Sequence, residues 1–195
     1  MAEKSLLLRP DMARAYAEGR KNQTRRLVKY KGSKPTKIRW NPIVLNRSSE
    51  WENEHGNHIK CPYGAPGDHI RLLTTWAVNK MFDDLKPLDL PMGTSVWSYF
   101  LSSEKPPSYG RLRPGRFLPM YMRHWMPCPE LLDVSVERVH DISEEDAIYE
   151  GIDEFSETCD ATHEFRLLWE QIHGPGAWER NDWVWRLKLE IGGER

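Results

Sequence analysis

Cysteine is scarce, at three in 195 residues, and Cys61, Cys128 and Cys159 are odd in number and widely spaced. No disulfide framework is implied, and the expected setting is reduced and intracellular. No stretch approaches the run of about 20 apolar residues that crosses a bilayer. The opening residues, Met1 to Leu8, hold too short an apolar run for a signal peptide. The expectation is therefore a cytoplasmic protein without a membrane partner. Internal repeats, a Gly-rich phosphate loop and a Ser-His-Asp spacing are all missing, and with them the commonest signatures of repeat proteins, nucleotide-triphosphate enzymes and serine hydrolases.

Acid is missing from one particular place. Between Gly19 and Arg47 stand ten Lys or Arg and no Asp or Glu, whereas Pro127 to Asp182 carries sixteen acids against three Arg. The net charge of −1 hides this asymmetry. A basic run of this kind raises the local concentration of anions and suits phosphate-bearing ligands, although a solvated loop has the same composition. Nine Trp and seven Tyr are also many for the length. Most serve a small β-rich core, and one or two are available as stacking platforms for bases.

Local pattern predicts an α+β chain. A first helix begins at Pro10, buries Met12, Ala15 and Tyr16, and stops at Gly19, leaving Arg20 to Arg26 in a turn. The stretch 29–60 reads as a polar insertion with one short strand, Ile38 to Trp40, and 79–115 reads as a second insertion. Strands are expected at His69 to Val78, Ser95 to Leu101, Arg116 to Tyr121 and, by alternation, Leu132 to Glu137. Ser143 to Gly151 is a short helix with start and stop both marked. A further helix places Phe165, Leu168, Trp169 and Ile172 on one side, with Gly174 as terminator. The final strand alternates Trp183, Trp185, Leu187, Leu189 and Ile191 against Arg186, Lys188 and Glu190.

Five blocks in this order resemble the ASCH family of the PUA-like superfamily. Gly19-Arg20-Lys21 with Arg26 resembles its Gly-x-Lys-x-x-Glu-x-Arg signature. Pro66-Gly67-Asp68 precedes a strand, Val136 to Gly151 matches the Asp-Ile-Ser-Glu-Glu-Asp-Ala segment, and the Phe165/Trp169 helix and Trp183-Val184-Trp185 strand complete the set. Gly19-Arg20-Lys21-Asn22-Gln23-Thr24-Arg25-Arg26 and Cys61-Pro62-Tyr63-Gly64 are similar to the longer ASCH proteins of tailed bacteriophages and prophages. The resemblance implies one PUA-like domain over 1–195, a small β-barrel with helices packed at its mouth, and a cleft for RNA or a modified nucleoside. Some small bacterial members are N4-acetylcytidine amidohydrolases; others are proposed ribonucleases or RNA-binding modules. Carried over, the amidohydrolase set falls on Lys21, Thr24 and Glu150. Arg20, Arg25, Arg26 and Trp76 are the candidate substrate-binding residues. One departure is Leu73-Thr74-Thr75-Trp76, where phage relatives carry Arg-Glu before the Thr/Ser-Trp. Another is Trp125-Met126-Pro127-Cys128-Pro129, where they carry Trp-Ala-Ser-Arg.

The residues themselves admit two readings. Lys21, under like-charge pressure from Arg20, Arg25 and Arg26, could deprotonate Thr24, with Glu150 orienting it. Alternatively, Lys21 and Arg26 pair with acids of the 127–182 region, Glu150 among them, and Thr24 bonds backbone. No cofactor or metal is expected. His55-x-x-His58-x-x-Cys61, completed by Cys128 or Cys159, offers zinc-ligand types, but at irregular spacing.

Overall fold

The computed structural model describes residues 4–30, 33–40, 50–152 and 160–191. In chain order the first elements are β1 (Ser5–Leu7), α1 (Pro10–Ala17), β2 (Gln23–Leu27), β3 (Ile38–Trp40), β4 (Glu50–Asn53) and β5 (His58–Lys60). They are followed by β6 (Arg71–Leu73), β7 (Trp76–Ala77), β8 (Trp97–Ser98), β9 (Leu131–Arg138), α2 (Glu144–Tyr149), α3 (Ala161–His173) and β10 (Trp183–Leu189). The class is α+β, and the described strands form four separate sheets. Among the described residues, no helix is long and apolar enough to cross a membrane.

The chain forms two compact units. The first comprises Met1–Gly19, His69–Pro129 and Ile191–Arg195. In it β1 runs parallel to β6, with Leu6 opposite Leu72, both buried. Helix α1 starts as expected at Pro10, and Ala13, Ala15 and Tyr16 face inward. Leu73, Trp76, Val78, Leu90, Val96, Leu118, Met122 and Met126 form the core. The Arg113 guanidinium reaches into this core and donates to the carbonyls of Phe82 (3.0 Å) and Leu85 (3.0 Å), which answers part of its donor fork, while burial still lowers its pKa.

The strand expected over His69 to Val78 is broken: β6 pairs with β1, β7 with β8, and Thr74-Thr75 make the change of partner. Of Ser95 to Leu101, only Trp97–Ser98 is strand, because a turn closed by Leu101 N–H to Ser98 C=O (3.0 Å) follows. Arg116 to Tyr121 is not a strand at all. Two 3-10 turns, Gly115–Phe117 and Met120–Trp125, occupy it, entered by Pro114 and Pro119. A proline has no N–H to give a ladder, so Pro119 removes the donor a strand would need there. Gly115 is dictated by contact: a Cβ on it would stand 2.5 Å from the Thr74 carbonyl oxygen and 2.9 Å from a Leu7 methyl. Backbone on one side cannot yield cheaply. Gly115→Ala is expected to cost about 1–3 kcal/mol, read as a lower urea midpoint at unchanged m-value; an unchanged midpoint would contradict this packing.

The second unit comprises Arg20–Asp68 and Glu130–Glu190. Its centre is the antiparallel sheet β2-β10-β9. The alternation in β10 and β9 reads out as expected: Trp185 and Leu187 lie opposite Val136 and Val134 on one face. A register shift at Lys188/Leu189 sets Leu189 against Leu131, which leaves Leu132 half-exposed. Val184, on the other face, packs under α2 and α3 with Val139, Ile142, Phe165 and Trp169. Helix α2 has the cap its sequence announces, since the Ser143 side chain accepts from the Asp146 N–H.

Arg20 to Arg26, expected as a turn, is mostly strand. Gln23 to Leu27 pair residue by residue with Lys188 to Val184. In the expected insertion at 29–60, residues 31–32 and 41–49 lie outside the described residues. The rest holds β3 as expected and adds β4 and β5 in an antiparallel sheet. This segment is tied down at its start. The Trp183 indole donates to the Pro35 carbonyl (2.8 Å), Lys34 pairs with Asp182 (2.8 Å), and Arg138 donates to the Thr36 carbonyl (3.1 Å).

Candidate functional site

The chain enters β2 with its backbone pinned on both sides. Asn22 N–H donates to the Tyr149 carbonyl (3.0 Å), and the Asn22 carbonyl accepts from Leu189 N–H (2.7 Å). Pinned there, Lys21 points inward and is 1% exposed. Its Nζ donates to both Glu150 Oε2 and the Glu150 carbonyl, each at 2.7 Å. Glu150 is held in turn as the residue closing α2, its N–H bonded to Asp146 C=O (2.9 Å), with Gly151 following at positive φ. An ammonium at helix-end carbonyls is electrostatically favoured, and the carboxylate supplies the counter-charge.

Arg25 extends the same network. Its fork reaches Glu137 Oε1 (2.7 Å), Asp146 Oδ2 (2.8 Å) and Glu150 Oε1 (3.2 Å), while Gln23 donates to Asp146 Oδ1 (2.9 Å). Arg186 on β10 adds charge from the flank, 3.8 Å from Glu137 and 3.7 Å from Asp146. Thus three carboxylates answer Lys21, Arg25 and Arg186. Burial lowers the Lys21 pKa below 10.5; Glu150 opposes the shift, and Arg26 and Arg25 reinforce it. Burial also works against the Arg25 charge, but Glu150, Glu137 and Asp146 outweigh it and hold that pKa above the ordinary value. Arg26 is lowered, chiefly by burial, with Tyr63 and Glu150 opposing.

The expected residues therefore divide. Lys21 and Glu150 converge, and Arg25 joins them as an internal partner. Thr24 is 4% exposed and pairs with Leu187; by strand alternation it shares a face with Arg26 and lies opposite to Gln23 and Arg25. Among the described residues no hydrogen bond joins Lys21 Nζ to Thr24. Arg20 is exposed. Trp76 is fully buried in the core of the first unit, its indole donating to the Pro114 carbonyl (3.0 Å).

Sequence reasoning missed Glu137 and Asp146, the partners of Arg25. The signal was present: Glu137 lies on the polar side of an alternating strand, and Asp146 in the acidic first turn of α2. Tyr63 was missed too. Burial raises its phenol, and the Arg26 charge opposes that shift. His173, lowered first by burial and then by Arg26 and Arg180, lies within the same field. Among the described residues no group of three or more His, Cys, Asp or Glu is arranged to hold a metal ion, and Cys159 lies outside them.

Comparison with known proteins yields no match: no family model fits the chain, no curated protein matches it significantly, and no solved structure does.

Proposed function

We propose that this chain is an ASCH-type hydrolase of the phage-encoded kind, acting in the cytoplasm on an N4-acylated cytidine nucleoside or on RNA bearing one. On this reading the β2-β10-β9 and β3-β4-β5 sheets belong to a PUA-like barrel, with α2 and α3 at its mouth. One observation carries the proposal. Lys21 and Glu150 stand far apart in the chain, were paired in expectation both by the motif and as a plain ion pair, and meet at 2.7 Å in a buried site. A buried lysine of lowered pKa held by a specific charge partner is the kind of group that concentrates where chemistry is done.

In the proposed reaction Thr24 Oγ1 attacks the acyl carbonyl after a side-chain rearrangement brings it to Lys21, which as the neutral amine takes its proton. In the structure the two are not hydrogen-bonded and Lys21 Nζ donates to Glu150. Arg26 faces the developing oxyanion. The C–N4 bond breaks, and the proton passes from Lys21 to the leaving N4. Water then cleaves the threonyl ester, releasing the carboxylic acid and restoring the hydroxyl. Glu150 is a positioning residue that fixes the amine. Because burial lowers Lys21, its neutral form is available below pH 10.5, and kcat/KM is expected to rise with pH through a midpoint under that value.

Incubation with N4-acetylcytidine tests this. Cytidine and acetate are expected, with at least a 100-fold loss in Thr24→Val. Full activity in that variant would end the threonine mechanism. No turnover of any acylated nucleoside would end the enzyme assignment.

A second reading has its own observation. Both Lys21 Nζ bonds go to Glu150, and Thr24 is on the face of β2 opposite to Gln23 and Arg25, which join the same network. That favours an RNA-binding module without chemistry, for which the same preparation shows salt-dependent RNA binding and no turnover.

A further inference from the structure

Three indoles stand in series within the second unit. Trp40 lies edge-on to Trp51, with ring centroids 5.3 Å apart, and Trp51 edge-on to Trp185 at 6.2 Å. They differ in exposure. Trp185 is 1% exposed, whereas Trp40 presents 48% of its surface to solvent. Trp40 and Trp51 are cross-strand neighbours on β3 and β4 and so share a face of that sheet. Trp185 lies opposite Arg26 on β2, and one step further Leu187 lies opposite Thr24. The series thus runs from an open indole at the rim to the Arg26 and Thr24 face of the central sheet.

Two features make this more than core packing. The exposed indole sits on an anchored support: Ile38 and Ile59, on the same face of the small sheet, are buried, and Lys34, Pro35 and Thr36 are bonded to the β9 and β10 side. The inner side of Trp40 packs on Trp51, but its open side adds nothing to the core, and a rigidly held ring loses little entropy on meeting a flat partner. In addition, the Trp51 Nε1–H is buried and has no acceptor among the described residues. An indole N–H in that position costs free energy until something supplies an oxygen or nitrogen. A flat π-surface, a missing acceptor and a stretch 29–60 that holds seven Lys or Arg against Glu50, Glu52 and Glu54 favour one chemistry. It is an unpaired nucleobase on an anionic backbone, whose faces are open only in a single strand.

We propose that Trp40, backed by Trp51, is a stacking subsite for a base of single-stranded RNA that flanks the nucleotide held at Arg26 and Thr24. The inference rests on the RNA or nucleoside reading above and deepens it, because a flanking-base subsite selects a polynucleotide over a free nucleoside.

The test is a titration of the full chain with a hexacytidylate RNA, followed by tryptophan fluorescence and by anisotropy of a labelled strand. Wild type is expected to bind with quenching, and Trp40→Ala to weaken binding about tenfold or more. Trp40→Phe, which keeps a ring, should recover most of that loss. Trp125→Ala removes a similarly exposed indole from the first unit and is expected to change nothing. Wild-type binding retained in full by Trp40→Ala overturns the subsite and leaves the RNA reading standing. Equal weakening in Trp125→Ala overturns it as well, since the contact would then be unspecific. Absence of any binding by wild type overturns the subsite together with the RNA part of the reading, whereas turnover of free N4-acetylcytidine in the same preparation would preserve the nucleoside part.

Discussion

Glu150→Gln is expected to destabilise the fold by about 3–5 kcal/mol, because it leaves a buried ammonium without its counter-charge. The substitution keeps the shape, removes the charge and turns one of the two accepting oxygens, which serve Lys21 and Arg25, into a donor. Lys21 Nζ would keep only neutral acceptors, the backbone carbonyl of residue 150 and the glutamine amide oxygen, in a site where the lysine is 1% exposed. The measurement is urea unfolding, read as a midpoint shift at constant m-value. The double variant Lys21→Met/Glu150→Gln removes the stranded charge and should regain most of the loss. A cost under about 1 kcal/mol for the single variant would show that the pair is open to water.

The same lysine gives a pH signature. Its folded pKa lies below 10.5 because burial disfavours the charge. Between the folded value and 10.5 the unfolded chain binds more protons at this group than the folded chain. Lys21 therefore makes stability rise with pH across that window, and its benefit is lost as pH falls through the folded value. Subtracting the profile of Lys21→Met, which lacks the group, isolates the slope from the tyrosines that titrate nearby. A difference profile flat in that window would contradict a depressed lysine.

Arg25→Met is the second large effect, with an expected loss of about 3–5 kcal/mol near neutral pH. The guanidinium is the common partner of Glu137, Asp146 and Glu150. Without it three carboxylates face one another with Lys21 on one side and Arg186, at 3.7–3.8 Å, on the other. Protonation relieves that repulsion, so the deficit should shrink as the pH is lowered and the carboxylates take up protons. Arg25→Lys is expected to rescue little, since a point charge cannot reach three acceptors as a planar fork does. Full rescue by lysine would mean that the fork geometry is irrelevant.

What could be read in the sequence depended on whether the cause was local. Ser143 to Gly151 was legible because a capping hydroxyl and a terminating glycine are written within nine residues. The alternation of β9 and β10 was legible because one side of their sheet is apolar. Arg20 to Arg26 was not, since seven polar residues carry no strand signal and the strand is imposed by β10. The basic run itself was misleading. Lys21, Gln23, Thr24 and Arg25 are buried, and the acids that neutralise Lys21 and Arg25 come from the region read as the opposite pole. The two prolines that end the expected strand at 116–121 were plain in the sequence, but apolar content outweighed them. Convergence of Lys21 with Glu150 was anticipated; the turn of Thr24 to the other face was not, because it depends on strand register.

The pairing of β2 with β10 also governs the order in which the molecule can be made. Leu27 waits for Val184, and Lys21 for Glu150, so during synthesis the basic strand emerges long before its partners. Contacts so distant in sequence slow folding and leave unpaired strand edges exposed meanwhile. Ten cations and no acid between Gly19 and Arg47 keep that waiting stretch hydrated and mutually repelling. The density of charge that later needs three carboxylates to be buried is, until then, what keeps the nascent chain from sticking to its neighbours.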